Sequence, residues 1–268
     1  HWCRNGVDGF RCDAGYMVPP AVWKYIVARV RDEFPDTVFL LEGLGGRIAT
    51  MEDLLADATL DWAYSELFQN YDRDQVSAYL PGCIRTSLTK GLQIHYAETH
   101  DNNRLTARSP AYARMRTSFS ALCSHNGAFG ITNGVEWFAD EKVDVHGAPS
   151  LNWGNSDNQV EHTAILNAIL ETHAAFRHGA QVRLIQRGTH NSLVVVREHP
   201  SENAAVLVLV NLNEARGSHA MWAVSDSPLG PGAFYDLITG KPVHLRMEHG
   251  HISHALAPAE VLCLSPHV

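Results

Sequence analysis

The chain has 268 residues, of which 45% are hydrophobic and 19% charged, and its formal net charge is −8 at pH 7. These proportions are close to the globular average and exclude a disordered, collagen-like or coiled-coil chain. The negative charge and the absence of a Lys/Arg cluster argue against a nucleic-acid backbone as a partner. The longest apolar run, Ala204–Val210, is far shorter than the roughly 18–20 residues of a membrane-spanning helix, so we expect no membrane partner.

The five cysteines are widely spaced and include no CxxC pair: Cys3, Cys12, Cys83, Cys123 and Cys263. This pattern argues against a disulfide framework and against a thiolate zinc site. Free, mostly buried thiols are the simpler interpretation, and they favour a reducing compartment such as the cytoplasm.

From residue 7 to about residue 178, strand-like and helix-like stretches alternate. Short β-branched or apolar stretches predict strands at 7–13, 37–41, 60–64, 92–96 and 128–132. Apolar residues at helical spacing, together with prolines that begin helices, predict helices at 21–34, 51–56, 73–90 (interrupted at Pro81-Gly82), 110–124 and 160–177. This alternation predicts a parallel sheet covered by helices.

The composition changes after Gly179. Six short strands separated by turn signals are predicted at 181–186, 192–197, 205–211, 219–224, 233–236 and 261–264, a pattern typical of an antiparallel β-sandwich. We therefore predict an α/β domain over residues 1–179 and an all-β domain over residues 180–268.

The first domain contains about five strand–helix units, whereas a complete eightfold barrel takes about 250 residues. It is therefore either an open doubly wound sheet or the C-terminal five-eighths of a (β/α)8 barrel. The chain enters a strand almost directly after His1, which favours the partial barrel, and we expect a fragment of a longer protein. As an isolated chain it is expected to be inactive and to aggregate or associate, because strand edges and apolar helix faces lack their neighbours.

Three acidic residues follow predicted strands of the first domain: Asp13, Glu42 and Asp101. The first two are 29 residues apart and the second two 59, which corresponds to one and two strand–helix units of about 30 residues. On a closed barrel all three then lie at the face where barrel active sites form. Each acid alone is compatible with capping the next helix. Three acids at similar positions after their strands favour a catalytic site. A nucleophilic carboxylate, an acid/base carboxylic acid and a third stabilising carboxylate suit a retaining glycosidase.

The segments around these acids resemble a known family. Residues 9–14, GFRCDA, are similar to the nucleophile motif of the α-amylase superfamily, glycoside hydrolase family 13. Residues 39–42, FLLE, are similar to its general-acid strand, and residues 99–102, THDN, to the motif of its third carboxylate. Residues 235–240, YDLITG, resemble turns of the β-sandwich that follows the barrel in this family.

The resemblance implies a role for each of these side chains. Asp13 would be the nucleophile, Glu42 the general acid/base and Asp101 the stabiliser of the transition state. Arg11 would pair with the nucleophile, and His100 would donate hydrogen bonds to sugar hydroxyls.

Aromatic rings close to predicted strand ends are candidate platforms for a pyranose, although each also suits a core position: Tyr16, Trp62, Tyr64, Trp137 and Trp153. Of these five, Tyr16 and Trp153 are predicted to bind substrate, and Trp153 is the stronger candidate. Glu136, in a segment similar to the last strand of the family's barrel, is interpreted as structural.

The chain also departs from the family's pattern. The first family motif and the small domain with its calcium site are absent from this sequence, and we expect no metal and no cofactor. Tyr16 and Met17 replace the Lys-His pair of many amylases, which leaves glucanotransferases, maltosyltransferases and debranching-type enzymes as the better matches.

The sequence thus predicts a retaining enzyme that acts on an α-glucan or maltooligosaccharide through a glycosyl-aspartate intermediate. It leaves hydrolysis or transfer, linkage and chain length open. One alternative is a catalytically inactive, barrel-derived binding or scaffold protein. Another is a nucleotide-dependent doubly wound enzyme, but its one glycine-rich candidate, residues 43–46, lacks the GxGxxG spacing and a P-loop lysine.

Overall fold

The computed structural model describes residues 1–147, 150–188 and 190–266. The chain divides into two compact units. Unit 1 comprises residues 1–66 and 82–94, and unit 2 comprises residues 67–81 and 95–268. None of the helices formed by the described residues is long and apolar enough to span a membrane.

A four-stranded parallel sheet forms the centre of unit 1. Its strands are β1 (Gly9–Cys12), β2 (Val38–Leu41), β3 (Trp62–Tyr64) and β4 (Leu92–Ile94). They pair in chain order, each strand beside the next. A doubly wound sheet reverses its strand order at a switch point, whereas this succession is that of a barrel wall.

Two helices of unit 1 connect these strands, α1 (Pro20–Arg31) and α2 (Ile48–Ala56). Pro20 stands in the first turn of α1, where its missing N–H has no partner to lose. The apolar faces of the helices and the sheet form one core, in which Leu41, Leu54 and Ala63 are completely buried. The predicted strands and helices of this unit are therefore present. The strands and α1 are shorter than predicted, whereas α2 is longer and begins at Ile48 instead of Met51.

The next helix, α3 (Arg73–Thr89), runs through Pro81 without a break, so the predicted interruption at Pro81-Gly82 is wrong. Proline removes one backbone hydrogen bond and costs a helix about 3 kcal/mol. Buried side chains on both sides of it, Leu80 and Cys83, supply packing that outweighs this loss.

Unit 2 contains the helices α4 (Pro110–Leu122) and α5 (Val160–Thr172). Ser109 caps α4 by accepting the Tyr112 N–H at 3.1 Å. The predicted strand at 128–132 is wrong, because only a single bridge between His95 and Phe129 forms there. Local turns use backbone groups at both ends of this segment: the Phe129 N–H donates to the Gly127 carbonyl at 2.8 Å, and the Thr132 carbonyl accepts the Val135 N–H at 3.1 Å.

The remainder of unit 2 is one antiparallel sheet of eight strands, in the order β5-β6-β7-β12-β9-β10-β11-β8. The strands are β5 (Gln181–Leu184), β6 (Ser192–His199), β7 (Ala204–Asn211), β8 (Ser218–Ala223), β9 (Gly232–Asp236), β10 (Pro242–Glu248), β11 (His251–Leu256) and β12 (Val261–Ser265). The sheet curls until β6 meets β8, where the Ser192 hydroxyl donates to the His219 carbonyl at 2.7 Å. The enclosed core includes Trp222, Leu207 and Leu245, all completely buried.

Two strands of this sheet, β10 and β11, were not predicted from the sequence. In β10 the apolar residues Val243, Leu245 and Met247 alternate with polar ones, which is the pattern of a half-buried strand, although Leu245 alone of these seven residues is buried. The proposed domain boundary near residue 180 stays a prediction, and β5 begins at Gln181.

Candidate active site

The first group of predicted site residues lies in unit 1, where β1 and β2 end. Cys12 and Leu41 are partners in the parallel register, and Asp13 and Glu42 are the next residue on each strand. The Glu42 N–H donates to the Cys12 carbonyl at 3.1 Å. The structure therefore brings Asp13 and Glu42 to the same edge of the sheet, on neighbouring strands.

Arg11 lies beside Asp13. Its guanidinium forms an ion pair with the Asp13 carboxylate and lies over the Tyr64 ring, 5.7 Å from the ring centroid. Partial burial lowers the pKa of Arg11, but the hydrogen bond to Asp13 and the charges of Tyr64 and Asp13 outweigh it, and the net pKa is raised. The Asp13 side chain is 78% exposed, so it is accessible to a ligand while it keeps this cation.

The carboxylate of Glu42 is bonded to the turn that follows Asp13. Its Oε2 accepts the Ala14 N–H at 2.5 Å. Ala14 has φ +44°, a left-handed conformation that few residues other than glycine adopt. Its neighbour Gly15 has no room for a side chain, since a Cβ there would lie 2.5 Å from Leu41 Cδ1. The loop carrying Asp13 is thus held against both the end of β2 and Glu42.

The loop after Glu42 is also contacted from two sides. Tyr16 is half-buried and packs on Gly46, so closely that a Cβ at Gly46 would lie 3.0 Å from Tyr16 Cγ. The Gly45 N–H donates to Glu66 Oε1 at 2.6 Å. Glu66 was not predicted from the sequence as a site residue, although this residue closely follows β3, much as Glu42 follows β2.

The second group of predicted site residues lies in unit 2. His100 Nε2 is 3.4 Å from Asp101 Oδ2, and both side chains are exposed. The Asp101 N–H donates to Thr99 Oγ1 at 3.1 Å, which shapes the turn. His100 also lines a cavity of 360 Å³, together with the described residues Thr132, Asn133, Val143, Asp144, Gly147 and Leu151.

A buried ion pair closes the base of the loop that carries His100 and Asp101. Arg104 Nε lies 3.0 Å from Glu98 Oε1, and neither side chain is more than 4% exposed. Glu98 Oε2 also accepts the Leu105 N–H at 2.6 Å, and Arg104 Nη2 donates to the Asn133 carbonyl at 2.7 Å. Burial raises the pKa of Glu98, against the opposing effects of the Leu105 N–H and Arg104.

The other candidates differ in their surroundings. Trp153 is 71% exposed and is not among the described residues that line the cavity. Glu136 accepts the Gly134 N–H of its own turn at 3.1 Å, a local contact that suits a structural role. Within the described ranges, no group of three or more His, Cys, Asp or Glu side chains is arranged to hold a metal ion. The roles assigned to the site residues stay predictions.

No family model matches the chain. Its curated relatives include α-1,4-glucan:maltose-1-phosphate maltosyltransferases. The enzyme of Methylacidiphilum infernorum is 24% identical over 230 residues, which cover 79% of this chain and 33% of that protein. The enzyme of Myxococcus xanthus is 22% identical over 243 residues, which cover 86% of this chain and 36% of that protein. The chain therefore spans about a third of the length of the curated relatives it matches.

Solved structures with a similar fold include an α-amylase from Lactobacillus plantarum, with a TM-score of 0.71 and 17% identity over 98% of this chain and 64% of that chain. A maltogenic α-amylase from Thermotoga neapolitana has a TM-score of 0.77 and 15% identity over 98% of this chain and 62% of that chain. The predicted fold class, the C-terminal part of a (β/α)8 barrel followed by an antiparallel β-sandwich, is confirmed, and the eight strands of the second part form one curled sheet. Together with the relatives, these structures confirm the predicted resemblance to the α-amylase superfamily.

Proposed function

We propose that this chain, a member of the α-amylase superfamily, carries the catalytic carboxylates of a retaining α-glucan-active enzyme. The observation that supports this most directly is the pairing at the ends of β1 and β2. There the Glu42 carboxylate is bonded to the amide that follows Asp13, and Arg11 forms an ion pair with Asp13. A retaining glycosidase needs two carboxyl groups on either side of one glycosidic bond.

In this proposal Asp13 attacks the anomeric carbon while Glu42 donates its proton to the departing glycosidic oxygen. The C–O bond breaks and a glycosyl ester of Asp13 forms. Glu42, now a carboxylate, removes a proton from water or from a sugar hydroxyl, whose oxygen attacks the anomeric carbon and frees Asp13. Asp101 stabilises the positive charge of the sugar ring in both transition states.

The lining of the cavity and the names of the relatives both support a carbohydrate substrate. His100, Thr132, Asn133 and Asp144 present hydrogen-bonding groups to one cavity, which suits sugar hydroxyls. The relatives are named for an α-1,4-glucan and maltose-1-phosphate, so transfer of a maltosyl group to an α-1,4-glucan is the first reaction to test, with hydrolysis second. Tyr16 and Trp153 are proposed as contacts for the glucan, and residues 180–268 as a separate β domain.

The test uses the full-length protein that carries this sequence. Asp13→Asn and Glu42→Gln are expected to lower turnover of maltooligosaccharides by about two to four orders of magnitude or more, with unchanged circular dichroism. With α-maltosyl fluoride as donor, Glu42→Gln is expected to accumulate a maltosyl adduct on the peptide containing Asp13, detected by mass spectrometry after acid quench.

Glu136→Gln is the matched control, because Glu136 contacts its own turn; its turnover is expected to equal that of the wild type. Near-normal turnover of Asp13→Asn or Glu42→Gln would contradict the assigned roles. A wild-type protein that binds maltooligosaccharides without any turnover would favour the inactive scaffold instead.

A further inference from the structure

We propose that Glu66 is a positioning residue for Glu42, and that it acts through the backbone of the loop between Glu42 and α2. The inference rests on the proposed function, which makes Glu42 the general acid/base. Glu66 is not proposed to touch the substrate. Its carboxylate holds Gly45, and Gly45 is three residues from Glu42 along the chain.

The contact itself is short and charge-assisted. Glu66 Oε1 accepts the Gly45 N–H at 2.6 Å, and hydrogen bonds to ionised carboxylates are roughly twice as strong as neutral ones. Gly45 has φ +77°, a conformation that glycine adopts without a steric penalty. The glycine therefore allows this N–H to point toward the end of β3.

Glu66 is itself held by the sheet. The preceding residue, Ser65, is buried, and its N–H donates to the Ile94 carbonyl of β4 at 3.0 Å. The Glu66 carboxylate thus has a fixed origin at the edge of the sheet where Asp13 and Glu42 lie.

The opposite side of the loop is supported by the neighbouring strand. Tyr16, which follows β1, packs directly on Gly46. The Gly46 N–H closes the turn on the Gly43 carbonyl at 3.3 Å. The loop between Glu42 and α2 is thus contacted from the β1 side by Tyr16 and by the Ala14 N–H, which donates to Glu42. From the β3 side it is contacted by Glu66.

Loss of the Glu66 carboxylate would leave the Gly45 N–H without this acceptor and release one side of the loop. Proton transfer from a general acid requires heavy atoms within hydrogen-bond reach of each other, and small misplacements of a catalytic group lower the rate steeply. We therefore expect a lower rate for a reaction that needs the proton of Glu42. The rate of attack by Asp13 on a donor whose leaving group departs as an anion should change little.

The experiment compares two donors in single-turnover measurements on the full-length protein. Cleavage of maltooligosaccharides requires protonation of the leaving oxygen. Cleavage of α-maltosyl fluoride requires little help from a general acid, because fluoride departs as an anion. For Glu66→Ala, the rate of the first chemical step is expected to fall at least about tenfold with maltooligosaccharides and less than about threefold with the fluoride, since general acid catalysis contributes about 10²–10⁴-fold.

Two further variants separate positioning from general damage. Glu66→Gln keeps an oxygen that can accept the Gly45 N–H and is expected to restore the maltooligosaccharide rate to within about threefold of wild type, because a neutral acceptor still forms the bond. Glu52→Ala is the matched control. Glu52 lies on α2, and its carboxylate accepts the hydroxyl of Thr86, on α3, at 2.8 Å. Removing this other carboxylate of unit 1 is expected to leave the rates with both donors at the wild-type values.

A Glu66→Ala rate equal to wild type with maltooligosaccharides would overturn the inference. An equal loss with both donors, or a Glu66→Gln rate as low as that of Glu66→Ala, would also overturn it. If the wild-type protein reacts with neither donor, the proposed function has failed and this inference falls with it. That outcome is recognised without any variant.

Discussion

Arg197 provides the most direct test of what holds unit 2 together. It stands on β6, is completely buried, and donates to three backbone carbonyls: Leu122 at 3.0 Å, Ser124 at 2.7 Å and Ala175 at 3.0 Å. Leu122 is the last residue of α4, and the carbonyls at a helix C-terminus lack partners within the helix and carry partial negative charge. Arg197 therefore supplies a cation and donors where α4 ends.

The charge persists despite burial. Burial lowers the pKa of Arg197 to about 10, against the opposing effects of Cys123 and Cys263, and the guanidinium also lies over the Phe176 ring, 4.1 Å from its centroid. In Arg197→Met the three carbonyls lose their donor, and each buried unsatisfied group costs about 1–3 kcal/mol. Removing a buried cation recovers several kcal/mol of desolvation, so we expect a net loss of about 3 kcal/mol in the free energy of unfolding.

The assay is urea unfolding at neutral pH, followed by far-UV circular dichroism, with the m-value checked in each variant. Arg197→Lys keeps the charge but cannot reach all three carbonyls, and an intermediate loss is expected. Arg183→Met is the control, because Arg183 is an exposed arginine of β5 paired with Glu198 at 3.0 Å, and such surface pairs contribute about 0–1 kcal/mol. An Arg197→Met variant as stable as the wild type would refute the reasoning.

Two further predictions concern ionisable side chains of unit 2. Arg104→Met should lower the free energy of unfolding by about 3–5 kcal/mol, because it leaves the Glu98 carboxylate buried without its cation; a change below about 1 kcal/mol in urea unfolding would contradict this. Burial, and next the charge of Arg114, lower the pKa of His162 from 6.5 to about 4. The unfolded chain therefore takes up this proton near pH 6.5 and the folded chain only near pH 4, so stability should rise with pH across that window, by up to about 3 kcal/mol for this residue. His162→Gln, which can keep a bond to the Ser118 hydroxyl, should show a shallower dependence in unfolding measured from pH 4 to 7; a curve parallel to that of the wild type would rule the assignment out.

Local sequence was enough to place Asp13 and Glu42. A strand followed by a helix takes about 30 residues and returns the chain to the same edge of a parallel sheet, so two acids 29 residues apart that each follow a strand must lie at neighbouring strand ends. The register of β1 and β2 confirms this geometry. The apolar periodicity likewise predicted most of the elements, because burial of one face is a property that short segments carry by themselves.

Only the tertiary structure decided the rest. Arg197 directly follows the apolar stretch Leu193–Val196. Nothing near it in sequence shows that it contacts the end of α4, 75 residues away. Glu66 gains its significance from Gly45, 21 residues away. The place of β10 and β11 in the curled sheet depends on the neighbouring strands that supply their hydrogen-bond partners. Burial of a charge and the pairing of a strand both depend on groups distant in sequence, and local patterns contain no information about where those groups lie in the fold.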